Sequence, residues 1–319
     1  MEVRDLHVSF TPSSSKKFVI KNPILIASGT FGYDGYGRGI TDEMPLEDLG
    51  AVIPKTVTRQ PREGNPEPRW YPTSFREARE SGECIYLNSI GLANPGIEHA
   101  LEFLAPQWDS WSAKVILSMS AESVGEFGEM AKMTQHVDGF EAIELNLSCP
   151  NIEDGAMFSH RPDLARAAMD AVRQQTDLPV WVKLAPNVPD VVELVKAVEL
   201  AGADGVTLCN TIPAMAIDNQ TGLPILGGIT GGLSGPALKV VALALVYRAA
   251  LSTDLPIIGV GGIFSGIDVV EFLMAGASAV QIGSANLANL WAPFNILAEF
   301  KQEMLQRDIQ TMSGFQPPR

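Results

Sequence analysis

Eight short apolar, β-branched runs, separated by longer stretches, constrain this chain more than any other feature. They cover residues 24–28, 51–56, 114–120, 142–147, 179–184, 205–210, 256–260 and 279–283. Near-continuous apolar runs of this length suit strands buried on both faces, as in a parallel sheet. Residues 163–175, 191–201, 236–251 and 267–275 carry apolar side chains at helical spacing, which predicts amphipathic helices between the later runs. Parallel neighbours need a crossover, usually a helix, so this alternation predicts βα units. Eight of them predict an α/β fold, a (β/α)8 TIM barrel, with a terminal helix over 294–306. Ahead of the first unit, residues 3–10 and 17–20 flank turn chemistry at 11–15 and predict an N-terminal β-hairpin.

Two segments exceed ordinary βα loops. Residues 59–83, rich in Pro, Arg and Glu, and 211–232, rich in Gly and Thr, are expected to be long active-site loops that cover the barrel mouth. No composition break, repeat or low-complexity tract divides the 319 residues, so one domain over 1–319 is expected. A net charge of -14 disfavours a phosphate-backbone grip and argues against nucleic acid as a partner. Three widely spaced cysteines fit a reducing compartment better than a disulfide framework. The longest apolar run, 240–251, is interrupted by Arg248 and is too short to span a bilayer, and the first residues show no signal-peptide pattern. A soluble cytoplasmic chain with no membrane association is expected.

In a barrel of this class the chemistry lies at the carboxyl ends of the strands. Those ends carry Ser28-Gly29, Lys55, Asn146 followed by Cys149, Lys183, Asn210, Gly261-Gly262 and Gly283-Ser284. Lys55 and Lys183 interrupt apolar runs, where an unpaired ammonium is costly. Either they face an anion or do chemistry, or they snorkel or form salt bridges. Lys114 lies at the start of its run and reads as structural. The glycine turns after runs seven and eight lead into helices and suit a phosphate. Asn88, Asn146, Asn151 and Asn210 offer uncharged donors and acceptors for an amide-like heterocycle. Cys149, in Asn146-Leu-Ser-Cys-Pro-Asn, follows a strand end in a polar segment, where a thiol of lowered pKa can act as a general base. Cys84 and Cys209 read as small packing thiols. The four histidines show no metal-ligand spacing, so no metal is assigned.

Taken in order, these motifs resemble the class 1 dihydroorotate dehydrogenases over nearly the whole chain. The carriers are Ala27-Ser-Gly, Pro54-Lys-Thr, Gly64-Asn-Pro-Glu-Pro-Arg, Leu87-Asn-Ser-Ile-Gly-Leu-Ala-Asn-Pro-Gly, Asn146-Leu-Ser-Cys-Pro-Asn, Val182-Lys-Leu-Ala-Pro-Asn, Asn210-Thr, Gly231-Gly-Leu-Ser-Gly-Pro, Gly261-Gly and Gly283-Ser. The resemblance implies FMN, with Gly261, Gly262, Gly283 and Ser284 at its phosphate. Ala27, Ser28, Gly29, Lys55, Thr56, Asn146, Lys183 and Gly235 complete the implied cofactor set. Lys55, Asn88, Gly91, Leu92, Asn146, Asn151, Asn210 and Thr211 would surround dihydroorotate. Cys149 matches the class 1 base, Lys55 and Lys183 the assisting cations, and the product would be orotate for pyrimidine biosynthesis. Met215-Ala-Ile-Asp followed by Gly231-Gly-Leu-Ser resembles the B-type. That type implies a homodimer core within a hetero-oligomer, whose partner subunit carries FAD and an iron-sulfur cluster and reduces NAD.

The sequence departs from the family at Thr211-Ile-Pro-Ala-Met, where a flexible glycine-containing stretch is expected, and at Gly155-Ala-Met-Phe-Ser, in place of a glycine-rich continuation. Both bear on the lid and the partner surface. A dihydropyrimidine dehydrogenase-like flavoprotein acting on uracil or thymine shares barrel, FMN and cysteine. Dihydrouridine synthases share them too, but bind tRNA, which this acidic chain does not suit. From a different class, Lys183 could serve a Schiff-base aldolase, and a non-enzymatic barrel subunit remains a third reading.

Overall fold

The computed structural model describes residues 3–10, 17–148 and 157–315. It begins with the expected hairpin, β1 (Val8–Phe10) paired antiparallel with β2 (Phe18–Ile20). Two barrel strands follow, β3 (Ile24–Ile26) and β4 (Ala51–Val52). Next come β5 (Trp70–Tyr71), α1 (Phe75–Glu80), β6 (Tyr86–Asn88) and one helical stretch made of α2 (Ile97–His99), a π-type turn at Ala100–Leu104 and α3 (Ala105–Asp109). A regular alternation then sets in: β7 (Ile116–Met119), α4 (Val124–Met133), β8 (Ala142–Asn146), α5 (Pro162–Arg173), β9 (Val180–Leu184), α6 (Val191–Leu200) and β10 (Gly205–Leu208). After β11 (Ile212–Ala214) and β12 (Gly231–Ser234) the chain finishes with α7 (Lys239–Ala250), β13 (Ile257–Val260), α8 (Gly266–Met274), β14 (Ala279–Ile282), α9 (Ser284–Ala288) and α10 (Ala292–Gln306).

Eight strands form a parallel sheet in the order β4, β3, β14, β13, β10, β9, β8, β7. Its two ends meet through Val52 N donating to Lys114 O at 2.8 Å and Val57 N to Ser118 O at 3.0 Å, so the sheet closes as a (β/α)8 barrel. Every residue of β7, β8, β9, β10, β13 and β14 is buried. This accounts for runs that are apolar throughout and do not alternate. The strands are shorter than the runs. At β4 the ladder stops at Val52 although the run continues to Thr56, and Pro54, which has no N–H to donate, lies in that continuation.

The hairpin seals one mouth. Val8, Phe10, Phe18 and Ile20 pack on Leu25, Ala51, Ile116, Ala142, Trp181, Ile258 and Ala279, which lie at or next to the first residues of seven barrel strands. Phe10 and Phe18 each meet the Trp181 ring edge-on with centroids 5.1 Å apart. Gly205 makes room for that indole, because a Cβ there would lie 2.3 Å from Trp181 Cδ1. Ligands are thereby left the opposite, carboxyl-end mouth.

The segments read as covering loops prove to be structured. β11, β12, β6 and β5 form a separate antiparallel sheet in that order. Pro213 and Ala214, set where a flexible stretch was expected, are part of its outer strand β11. Helix α1 lies inside the supposed 59–83 loop. Its start was legible as a capping box, Ser74-Phe-Arg-Glu77, and Ser74 Oγ accepts from Glu77 N at 3.2 Å. The predicted helix over 236–251 divides into a 3-10 turn at Pro236–Leu238 and α7. Lys114 is structural as expected, paired with Glu141 at 3.2 Å and over the Phe18 ring at 5.2 Å. Cys209 is buried, but Cys84 is exposed, and its Sγ reaches only Gly82 O at 3.5 Å. The packing role read for Cys84 is therefore corrected. It lies in the loop between α1 and β6, outside the barrel core.

Because Trp181 bridges hairpin and barrel, Trp181→Ala should lower the unfolding free energy by about 3 to 5 kcal/mol. Urea unfolding followed through its midpoint and slope checks this.

Candidate active site

One cavity of about 410 Å³ opens at the carboxyl ends of the strands, within the range of small-molecule sites. The barrel supplies its floor and one wall, through Ala27, Ser28 and Gly29 after β3, Lys55 and Thr56 after β4, Asn146 on β8 and Lys183 on β9. The antiparallel sheet and its loops supply the other wall, with Asn88, Gly91, Leu92, Thr211 and Gly231. Asn210, Gly261, Gly262, Gly283 and Ser284 line the same space. Gly235 does not line it; the neighbouring Ser234 does, and accepts from Ser284 Oγ at 2.8 Å. Cys149 and Asn151 lie outside the described residues.

The carboxamides are ordered by each other. Asn210 Nδ2 donates to Asn146 Oδ1 at 3.2 Å and to Ser148 Oγ at 2.9 Å, while Asn210 Oδ1 accepts from Thr211 N at 2.8 Å. Asn88 donates to Gly232 O at 3.3 Å. A hydroxyl chain fixes the first strands: Ser28 Oγ to Thr56 Oγ1 at 2.9 Å, and Thr56 Oγ1 to Ser118 Oγ at 2.8 Å. Leu92 holds a left-handed backbone, φ 54°, uncommon for a residue with a Cβ and frequent at ligand clamps.

The turn after β13 needs its glycines. Gly262 has φ 71°, and a Cβ on it would stand 2.6 Å from Lys239 N. The loop is braced from behind by Asp268, which accepts from Phe264 N at 2.9 Å, Ser265 Oγ at 2.8 Å and Lys239 Nζ at 2.6 Å. Burial acts against the Lys239 charge, but the hydrogen bonds to Asp268 and Glu271 outweigh it and hold its pKa above the ordinary value. Over Gly283 the space is open, since a Cβ there meets only the Ala27 methyl at 3.7 Å.

The two lysines differ in how their charge is met. Lys183 donates to Gln281 Oε1 at 3.1 Å and lies 3.6 Å from Glu144 Oε1, so the salt-bridge alternative holds for it although it also lines the cavity. No described carboxylate pairs with Lys55. Burial first, and the Arg69 charge second, push the Lys55 pKa below its ordinary value of 10.5. Cys209 lines the cavity too, but burial pushes its thiol up to about 12, against a smaller opposing pull from Lys183. It is neutral at physiological pH and unsuited to accept a proton.

Sequence reasoning missed several members. Asn65, Ser89 and Thr230 form a hydrogen-bonded run on the cover side, Asn65 Nδ2 to Ser89 Oγ at 2.9 Å and Ser89 Oγ to Thr230 O at 2.8 Å. Glu144, Thr207 and Gln281, beneath Lys183, were also passed over. Glu144 and Gln281 carried the signal that flagged the lysines, a polar side chain inside an apolar strand.

A closed barrel whose carboxyl-end mouth gathers two lysines, facing carboxamides and two glycine turns is the layout of a (β/α)8-barrel enzyme. The family model described as dihydroorotate dehydrogenase matches residues 13–304. The protein of Desulforamulus reducens named dihydroorotate dehydrogenase B (NAD(+)), catalytic subunit, is 42% identical over 289 residues, 90% of this chain and 91% of that one. Proteins of the same name from Anoxybacillus flavithermus and Citrifermentans bemidjiense are 44% identical (88% of this chain, 86% of that one) and 40% identical (92% and 93%). The chain belongs to the dihydroorotate dehydrogenase family and is an oxidoreductase. Among the described residues no helix is long and apolar enough to cross a membrane.

The Lys55 shift has a consequence for stability. Between its lowered folded value and 10.5, the unfolded chain binds more protons than the folded one, so stability rises with pH across that window. Lys55→Met should therefore be more stable than the parent protein at pH 7, and the charge-related part of that gain should shrink to nothing as the pH passes 10.5. Unfolding midpoints across this pH range check the sign.

Proposed function

We propose that the chain oxidises (S)-dihydroorotate to orotate in the cytoplasm with FMN as its cofactor, for pyrimidine biosynthesis. One observation carries this reading: a single cavity joins a buried lysine with no described carboxylate beside it, interlocked carboxamides and two glycine turns. The residues suit the cofactor. Gly261, Gly262, Gly283 and Ser284 line the cavity, and the space over Gly283 leaves main chain open to a phosphate. Ala27, Ser28, Gly29, Thr56, Asn146 and Lys183 would border its ring and ribityl chain, and Gly235 would act through the adjacent Ser234. When bound, the flavin supplies the acceptor for the hydride leaving C6 of dihydroorotate.

The chain's own groups do the rest. Lys55, buried without a described carboxylate, suits the substrate carboxylate, whose arrival would supply its missing counter-charge. Asn88, Asn146, Asn151, Asn210 and Thr211 match the alternating N–H and C=O edge of the pyrimidine, and Gly91 and Leu92 close over it. Cys149 accepts the C5 proton. Cys209, neutral and buried, is the less suited thiol for that role.

The relatives' name, catalytic subunit, supports a second component. This chain would form the homodimer core of a hetero-oligomer and pass electrons to a subunit carrying FAD and an iron-sulfur cluster, and then to NAD. Met215, Ile217, Leu223 and Ile229 are exposed on the 211–232 arm beside the mouth and suit such a partner.

Cys149→Ala should keep FMN bound and slow flavin reduction by dihydroorotate by about 10² to 10⁴, whereas Cys209→Ala and Cys84→Ala should leave it within about twofold. Stopped-flow traces unchanged by Cys149→Ala would remove the cysteine from the mechanism. Purification from the native cell should bring down a second flavoprotein with the chain. Full NAD-linked turnover by the chain alone would refute the partner.

A further inference from the structure

Beneath the cavity, inside the barrel, lies a charged group that the mechanism above does not use. Glu144 is 1% exposed, in the middle of β8. Its Oε2 accepts from Gln281 Nε2 at 2.5 Å and from Thr207 Oγ1 at 3.0 Å. Its Oε1 has no hydrogen bond among the described residues, and faces the Lys183 ammonium at 3.6 Å. Gln281 joins both ends of the pair, donating to Glu144 and accepting from Lys183 at 3.1 Å. Four strands, β8, β9, β10 and β14, thus each give one inward side chain to a closed polar cluster.

A buried carboxylate is costly unless paired and hydrogen-bonded, and this one is held by two neutral donors and one cation. We infer that Glu144 is a positioning residue. It anchors the Lys183 ammonium at the cavity floor and offsets part of its charge, and so sets how strongly the site favours an electron-rich ligand over its oxidised form. Gln281 fixes the orientation of both groups, and Thr207 donates to the same carboxylate oxygen as Gln281. Two strands carry this geometry in register: Glu144 pairs with Trp181 and Asn146 with Lys183 across β8 and β9. The ligand-facing carboxamide and the buried carboxylate therefore share the inner face of one strand, two residues apart.

The inference rests on the flavin reading, and its test separates the two. In Glu144→Gln the shape is kept while the negative charge is lost, leaving the Lys183 charge less compensated. The bound flavin should then favour its reduced form by about tenfold more than in the parent protein, a potential about 30 mV more positive for a two-electron couple. In the Lys183→Met background the same substitution should move the potential little, because Glu144 then has no ammonium to anchor or offset.

Equilibrium redox titration with a reference dye reads both. A positive shift that vanishes in the Lys183→Met background supports the role. An unshifted potential in folded, flavin-loaded Glu144→Gln overturns it alone, whereas a parent protein that binds no flavin overturns this inference and the flavin reading together. If Glu144→Gln does not fold, Glu144→Gln with Lys183→Met should restore folding, since removing both charges of a buried pair is often tolerated. Failure of the double variant would assign Glu144 to structure only and overturn the inference.

Discussion

Phe10 and Phe18 packed edge-on against Trp181 decide which end of the barrel can work. A closed parallel barrel has two mouths, and a ligand site needs one open and the other filled. Here the hairpin fills the mouth at the strand starts with aromatic and aliphatic side chains. Alanines at the starts of β4, β8 and β14, together with Gly205, keep the strand starts low enough for the aromatic plug. The cavity, the glycine turns and both lysines are then confined to the carboxyl end, where side chains from different strands converge.

Above that floor the barrel interior changes from apolar to charged within two residues along a strand. On β8 the inward positions are Ala142, Glu144 and Asn146, a sequence that runs from floor to buried charge to ligand surface. A polar layer in this place is held only because its members satisfy one another, and Glu144, Lys183, Thr207 and Gln281 come from four strands. Lys55 stands apart from that layer with no described carboxylate beside it. The same low-dielectric setting that makes its charge costly strengthens its attraction to an anion that enters.

The sequence carried the barrel because its signal is local: burial on both faces writes itself as an apolar run, strand by strand. It carried Lys55, Lys183, Asn146 and Asn210 because a polar group at the end of such a run has few cheap explanations. It did not carry the cover sheet. β5, β11 and β12 are two to four residues long, with Trp70-Tyr71 and Gly231-Gly among them, and they exist only through pairing, β5 and β12 with β6 and β11 with β12. The position of Gly235 behind Ser234, and the exposure of Cys84, likewise depend on how distant turns meet.

The residue pattern by itself determined the eight-strand architecture, the placing of the chemistry at the strand ends and the family. Each follows from a run, a spacing or an ordered set of short motifs. Only the tertiary structure decided which polar groups answer one another. It showed that Lys183 is matched to Glu144 across adjacent strands while Lys55 has no described carboxylate beside it, and that burial at the same cavity pushes the Cys209 thiol up. Desolvation and charge compensation are properties of distance in space, and separations of tens of residues along the chain do not encode them.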